Sequence, residues 1–400
     1  MGLVATLDFE QARASVLSRL CANRPPLIAE EVDLLEAAGR VLAEAVPADR
    51  DYPPTDRSVR DGFAIRAADV PGTLELSGEI RAGQKSDLVL QPGQAIEIMT
   101  GAAVPPGADA VVMIEHTSVA GHRVVIERTL SHRENINPCG SEMRAGQTVL
   151  QPGARLGYAE VALLATLGRR RLRVYAKPKV AIIATGDELT GIEEAPLAHQ
   201  IRNSNAYSLA VQVQRAGGRP VILGVAKDEY DSTFDLIQRG LASDLLLLSG
   251  GVSAGRYDIV EKVLADLGAE FFFDRVRIQP GQPLVFGAVQ GKFFFGLPGN
   301  PVSTMVTFEL FGRAAVELLG GQTESMLPLT WSRLSQEFHQ KTGLTRFLPA
   351  RLNSDGSCVT PLEWQGSGDI AGLTRANAFL VTEAGRENWA ESDLIRVLLK

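Results

Sequence analysis

The sequence predicts a multidomain protein of mixed α+β and α/β class, and three observations predict it. From about residue 177 to 321, compact apolar runs ending in glycine alternate with helical patterns. From about 47 to 140, prolines and glycines punctuate short β-like runs. Further strand-like runs fill 327–400. The length agrees, since 400 residues hold roughly two to four domains.

The elements follow in order. Asp8 can cap a helix with Gln11 three residues on, and apolar residues recur at Phe9, Ala12, Val16, Leu17 and Leu20. A second helical pattern runs from about Glu30 to Ala45, interrupted by Gly39. LELSGEI, AIEIMTG, AVVMIEH and HRVVIER then read as the strands of a β-rich domain over 47–140. RAGQ followed by LQPG occurs at 81–93 and again at 144–153, which reads as two similar strand-turn units rather than a duplicated domain. EVALLATLG at 160–168 is helix-friendly and leads into a basic run, RRRLRVYAKPK, expected as a solvated linker. VAIIATG, RPVILGVA, DLLLLSGG and KFFFGLPG are near-continuous apolar strands separated by helices, the pattern of a buried, mainly parallel sheet over 177–321. FLPARL, CVTPLEW, AFLVTEAG and LIRVLLK form a small terminal β domain over 327–400.

Composition excludes several function classes. Forty-seven acidic against forty basic residues leave a net charge of −7, so no global cationic field invites nucleic acid or an anionic membrane. No apolar run approaches the ~20 residues of a membrane span, and the first residues lack the basic-then-apolar order of a secretory signal. Three scattered cysteines imply no disulfide scaffold, and five histidines form no ligand-spaced pair. The expected location is cytoplasmic.

The chemistry is expected where parallel strands end, because loops and helix N-termini meet there. Asp187 and Glu188 follow VAIIATG; two adjacent carboxylates suit a hard cation such as Mg2+, or equally a helix cap with an acid in its first turn. Ser249, Gly250, Gly251 and Ser253 lie in SGGVSAG, where glycines let amides turn inward on a phosphate. Asp258 lies just beyond, near a cation held by the first loop or simply near its own helix start. In LPGNPVS, Asn300 is a natural N-cap and Pro301 a natural first helical residue. Gln279 and Gln282 flank a rigid Pro-Gly turn, preceded by Arg275 and Arg277.

Read together, SVRDGFAI, IMTGAAVPPGADAVV, ATGDEL, SGGVSAGRYD, PGQP, GLPGNPVS and GSGDIAGLTRANAF resemble the molybdopterin molybdenumtransferase family, the MoeA-like proteins that include the C-terminal domain of gephyrin. Seven segments in the family's order cover essentially the whole chain. The resemblance implies an elongated, four-part homodimer with its active site between subunits. Its parts are a helical/mixed N-terminal linking domain (1–46 and 141–176), the β domain, a MogA-like molybdopterin-binding α/β domain and a C-terminal β-barrel-like domain. The implied reaction is Mg2+-dependent insertion of molybdate into adenylylated molybdopterin with release of AMP, in molybdenum cofactor biosynthesis. A MogA-like adenylyltransferase and molybdoenzyme acceptors are the implied partners. Carried over by position, Asp61 and Thr100 match the S-x-x-D-G and T-G-A motifs. Asp187, Glu188, Asp228 and Asp258 match the acidic positions, with Asp187, Glu188 and Asp258 as metal ligands. Gly250, Gly251 and Ser253 match the nucleotide loop, Pro298 and Pro301 the LPGNP motif, and Ser367 the GSG serine.

The chain departs from the family on one side of that site. Gln279 and Gln282 stand where a K-P-G-K-P segment is usual, so two cations become neutral amides. Gly343-Leu344-Thr345-Arg346-Phe347 displaces both arginines of the usual G-R-x-[DE]-F-x-R, leaving Arg346 as a partial stand-in. An arginine is also missing before Gly140, and Arg256 stands where an acid is common. Weaker molybdate binding is the expectation, unless Arg275, Arg277 or Arg346 compensates. Two other readings stay open: a molybdopterin- or nucleotide-binding carrier or scaffold that inserts no metal, and a related enzyme that cleaves a pterin-nucleotide pyrophosphate.

Overall fold

The structure is a computed structural model that describes residues 6–251 and 259–400. The chain divides into two compact units, one of residues 1–43, 153–161 and 170–400, the other of 44–152 and 162–169.

A seven-stranded sheet organises the larger unit. Its order is Thr6–Leu7, Glu270–Val276, Pro283–Val289, Lys292–Leu297, Leu245–Ser249, Lys179–Thr185, Arg219–Ala226. The last four neighbours run parallel, as the continuous apolar runs predict. Successive side chains of a strand point to opposite faces, so each run supplies two cores. Val180, Ile182, Leu245, Leu247, Phe293 and Phe295 pack on one face, and Ala181, Ile183, Leu246, Leu248 and Phe294 on the other. Glu270–Val276 and Pro283–Val289 add antiparallel pairs that the sequence reading did not separate out. A two-residue turn, Gln290-Gly291, joins the hairpin to Lys292 with both residues at positive φ, as tight hairpins require.

The first helix forms as expected over Phe9–Ala22, with a complete capping box between Asp8 and Gln11. Its buried stripe, Phe9, Ala12, Val16 and Leu20, joins the larger unit's core, where the Phe9 ring meets Phe311 and Phe347 edge-on.

Two local expectations are overturned together. Residues 30–45 are not helical: Ala29–Asp33 is a strand, followed by turns. Its partner is Arg171–Tyr175, the stretch expected to be a solvated linker. Leu172 and Val174 are buried, while Arg171 pairs with Glu31 at 3.2 Å and Asp33 at 3.5 Å. Each segment's local pattern is ambiguous alone; pairing across some 140 residues decides it.

The last domain closes into a five-stranded barrel. Thr345–Leu352, Cys358–Pro361, Leu329–Leu334, Leu394–Leu399 and Ala378–Thr382 pair in turn, and Ala378–Thr382 returns to Thr345–Leu352. Ile278–Gln279 adds to this barrel in parallel, with Gln279 beside Arg346.

In the smaller unit, a six-stranded sheet has the order Ala110–Met113, Gly62–Ile65, Gln94–Ile98, Gly72–Ile80, Arg123–Ile126, Thr117–Ala120. Both RAGQ copies make the same turn, in which Gln84 and Gln147 accept the amide of Arg81 and of Arg144. Among the described residues no helix is long and apolar enough to cross a membrane.

Asp8→Ala removes the side-chain acceptor of the Gln11 amide and is expected to lower stability by about 1 kcal/mol. Asp8→Asn should keep most of it. Urea titration followed by circular dichroism measures both.

Candidate active site

Four neighbouring parallel strands bring their C-terminal ends to one sheet edge. The register sets Ala226 beside Thr185, Ala184 beside Ser249, and Ser249 beside Leu297. Backbone bonds tie the loops as they leave: Gly186 N–H donates to the Ala226 carbonyl and Gly250 N–H to that of Leu297. Around this edge lies a cavity of about 720 Å3. Such a volume suits a cofactor-sized ligand.

Most of the residues singled out in the sequence line it. Glu188 and Asp228 do so together with Ser249, Gly250 and Gly251, and so do Gln279, Gln282, Pro298, Asn300, Pro301 and Ser367. Asp187 is one step removed, its Oδ1 accepting the Asp228 amide at 3.2 Å. Its alternative role as a helix cap is excluded, because the loop turns into the strand Leu189–Thr190. Ser253 and Asp258 lie outside the described residues. Among the described residues, no group of three histidine, cysteine or acidic side chains is arranged to hold a metal.

Glycine is required in the central loop on two counts. Gly250 and Gly251 have φ of 93° and 63°, and a Cβ on either would fall within 3.0 Å of Thr185 atoms. The Gly250 amide is engaged by Leu297; among the described residues nothing accepts from Gly251. The Thr185 hydroxyl beneath them is buried without a partner.

Asn205 was missed as a site residue. Its Nδ2 donates to Ser249 Oγ and to the Gly299 carbonyl, both at 2.8 Å, and so bridges the two loops. The signal was available in Asn203-Ser204-Asn205 opening the helix Asn205–Arg215. Asn300 does occupy the N-cap position with Pro301 following, yet its side chain makes no capping bond. Instead Nδ2 donates to Ser367 Oγ at 2.9 Å, joining LPGNP to the GSG segment.

The arginines that could compensate do not line the cavity. The Arg346 guanidinium donates to the Lys341 carbonyl, and partial burial lowers its pKa from the ordinary value. Arg275, Arg277 and Arg346 are not among the lining residues; Arg202 is the one cation that is, among those described.

Asp61 and Thr100 meet within the smaller unit. Pairing of Gly62 with Ile98 brings the two strand ends together, and Asp61 Oδ1 accepts the Thr100 amide at 2.7 Å and its hydroxyl at 2.9 Å. Those two donors hold the exposed carboxyl below its usual pKa, the amide contributing more.

Comparison with known proteins extends this picture to the whole chain. Residues 7–168 match the MoeA N-terminal region (domain I and II), 181–318 a probable molybdopterin binding domain, and 332–400 the MoeA C-terminal region (domain IV). A molybdopterin molybdenumtransferase of Nostoc is 39% identical over 371 residues, covering 89% of this chain and 85% of the relative. One from Staphylococcus epidermidis is 33% identical over 378 residues, covering 92% and 90%. The chain belongs to the molybdopterin molybdenumtransferase family. The crystal structure of the molybdopterin biosynthesis moeA protein from Pyrococcus horikoshii OT3 superposes with a TM-score of 0.81 at 28% identity, covering 99% of this chain and 100% of that one. The multidomain MoeA-like fold expected from the sequence is therefore the fold of this chain, closed C-terminal barrel included.

Thr100→Val keeps the amide donor to Asp61 and removes the hydroxyl. The Asp61 pKa is expected to rise toward, without reaching, the ordinary ~3.9, read by NMR titration of labelled aspartate. Because the folded value is depressed, this pair's stabilisation is present above about pH 4 and is lost as pH falls through the folded pKa.

Proposed function

We propose that this protein is a working molybdenumtransferase that inserts molybdate into adenylylated molybdopterin with release of AMP. The observation that carries the proposal is the convergence of four strand-end loops on one cavity that Glu188, Asp228 and a glycine turn line together.

The division of labour follows from the donors present. The Gly251 amide and the Ser249 hydroxyl are hydrogen-bond donors that this lining offers a phosphate. Asn205 holds the loop carrying Ser249 and that carrying Gly299 at fixed spacing, which positions the donors before substrate arrives. Ser367, whose oxygen already accepts from Asn300, keeps its own proton to donate to an oxyanion. The carboxylates of Glu188 and Asp228 are hard oxygen donors on the cavity wall, and Mg2+ characteristically takes one or two carboxylates plus substrate phosphates and waters. Glu188 and Asp228 fit that ion and, with Asp187 beside Asp228, would hold it; Asp258 is the remaining acidic position carried over from the resemblance. When bound, Mg2+ supplies neutralisation of phosphate charge as the P–O bond breaks. Asp61 and Thr100 belong to the same reading as catalytic positions, in a homodimer whose active site lies between subunits; sedimentation equilibrium at one rather than two chain masses would refute the dimer.

One assay tests the reaction. Adenylylated molybdopterin is incubated with protein and Mg2+, with and without molybdate, while AMP and metal-loaded product are followed. AMP together with loaded cofactor is expected, with Glu188→Gln reducing both rates at least tenfold. The neutral pair Gln279 and Gln282 gives weight to the two other readings. AMP without loading would identify a pyrophosphate-cleaving relative, and binding without AMP a carrier or scaffold.

The same pair yields a quantitative expectation. A lysine places a full positive charge beside the molybdate dianion, contributing ~1 kcal/mol even at the dielectric constant of water, so Gln279→Lys and Gln282→Lys should each tighten molybdate binding at least about fivefold. Isothermal titration calorimetry measures it; unchanged affinity would refute the charge argument.

A further inference from the structure

A second cavity, of about 320 Å3, lies at the other end of the helix that begins with Asn205. Arg155, Arg215, Arg313 and Lys400 line it against two carboxylates, Glu309 and Glu317. Both carboxylates are already satisfied. Glu317, only 3% exposed, accepts from Arg313 Nε at 2.8 Å and from Ser325 Oγ at 2.5 Å, with Arg155 at 3.9 Å. Glu309 accepts from Gln212 Nε2 at 2.8 Å and faces Arg313 at 3.8 Å.

The surplus charge therefore sits on Arg215 and Lys400. Lys400 Nζ donates only to neutral carbonyls, those of Leu373 at 2.8 Å and Ala376 at 3.1 Å. Among the described residues, no carboxylate side chain lies within ion-pair reach of Lys400 or Arg215. The two cations also oppose one another: burial first, then the Arg215 charge, lowers the Lys400 pKa. Pro328 and Leu399 add apolar surface to the lining.

We propose that this cavity is a second anion site, separate from the substrate cavity, that takes a phosphate dianion, free or as the monoester of a small molecule. The reason is charge balance in a confined space. Four cations line the cavity against two carboxylates that are already engaged, and a phosphate between the exposed Arg215 guanidinium and the Lys400 ammonium accepts short charge-assisted hydrogen bonds from both. The pocket is too small for a dinucleotide and ample for a phosphorylated fragment.

The test titrates the intact protein with inorganic phosphate, and separately with glycerol 3-phosphate, by calorimetry at matched ionic strength in the presence of AMP. Saturable binding with a Kd of about 1 mM or tighter is expected. Arg215→Ala, at an exposed position, should weaken it at least about fivefold, and Arg215→Lys should recover part. Glu309→Gln should strengthen it by removing one competing negative charge while keeping an acceptor for Gln212. Tighter glycerol 3-phosphate than phosphate identifies a monoester as the natural occupant, and the reverse identifies the free ion. Absence of saturation, or binding indifferent to Arg215→Ala and Glu309→Gln but lost in Ser249→Ala, would overturn the site.

Discussion

The hydrogen bonds of one carboxamide govern the geometry on which the substrate cavity depends. Asn205 Nδ2 donates to Ser249 Oγ and to the Gly299 carbonyl, so two loops leaving adjacent strands cannot drift apart without breaking a bond each. Parallel pairing alone sets the strand ends within one sheet edge, but loops beyond the last ladder bond are free to splay. A side chain from a neighbouring helix removes that freedom. The Asn300 amide repeats the device one loop further on by donating to Ser367, which draws the segment before the short helix Ile370–Thr374 toward the same cavity. Preorganisation of this kind matters most where the ligand is highly charged, because donors that must reorganise on binding lose part of their interaction energy.

The electrostatic character of the cavity is lopsided. Carboxylates of Glu188 and Asp228 line it, as does the single cation Arg202 among the described residues, and neutral amides of Gln279 and Gln282 occupy positions where lysines are usual in the resembling family. The nearest arginine in register, Arg346 beside Gln279, spends its guanidinium on the Lys341 carbonyl. An oxyanion bound here would meet dipoles and hydroxyls more than full positive charges, an arrangement that discriminates by geometry rather than by attraction at a distance. The second cavity has the opposite bias, with cations in excess over carboxylates. Two cavities of contrasting charge thus share one unit, at opposite ends of an eleven-residue helix.

Much of this was legible in the residues. The apolar strands, the capping box at Asp8, the short β runs and the terminal strands follow from periodicity and turn chemistry, which are local properties. So does the concentration of Glu188, Gly250, Gly251 and Pro301 at strand ends. The helical expectation for 30–45 failed because Val32, Leu34 and Leu35 fit a helical stripe as well as a strand, and only a partner some 140 residues away settles the matter. Asn205 escaped notice for a related reason. An asparagine at a helix start has an ordinary structural explanation, and nothing adjacent in sequence shows that its amide reaches two other loops.

The sequence by itself determined the class of fold, the order of its parts and the kinds of group offered at the sheet edge, because propensity, spacing and turn preference act over a few residues. Tertiary structure alone decided which of those groups meet. Thr100 folds onto Asp61 through strand register, Arg346 turns away from the cavity to a carbonyl, and Arg215 comes to share a pocket with Lys400. Each is a contact between segments far apart in the chain, where closing a loop is repaid only by the packing of the whole.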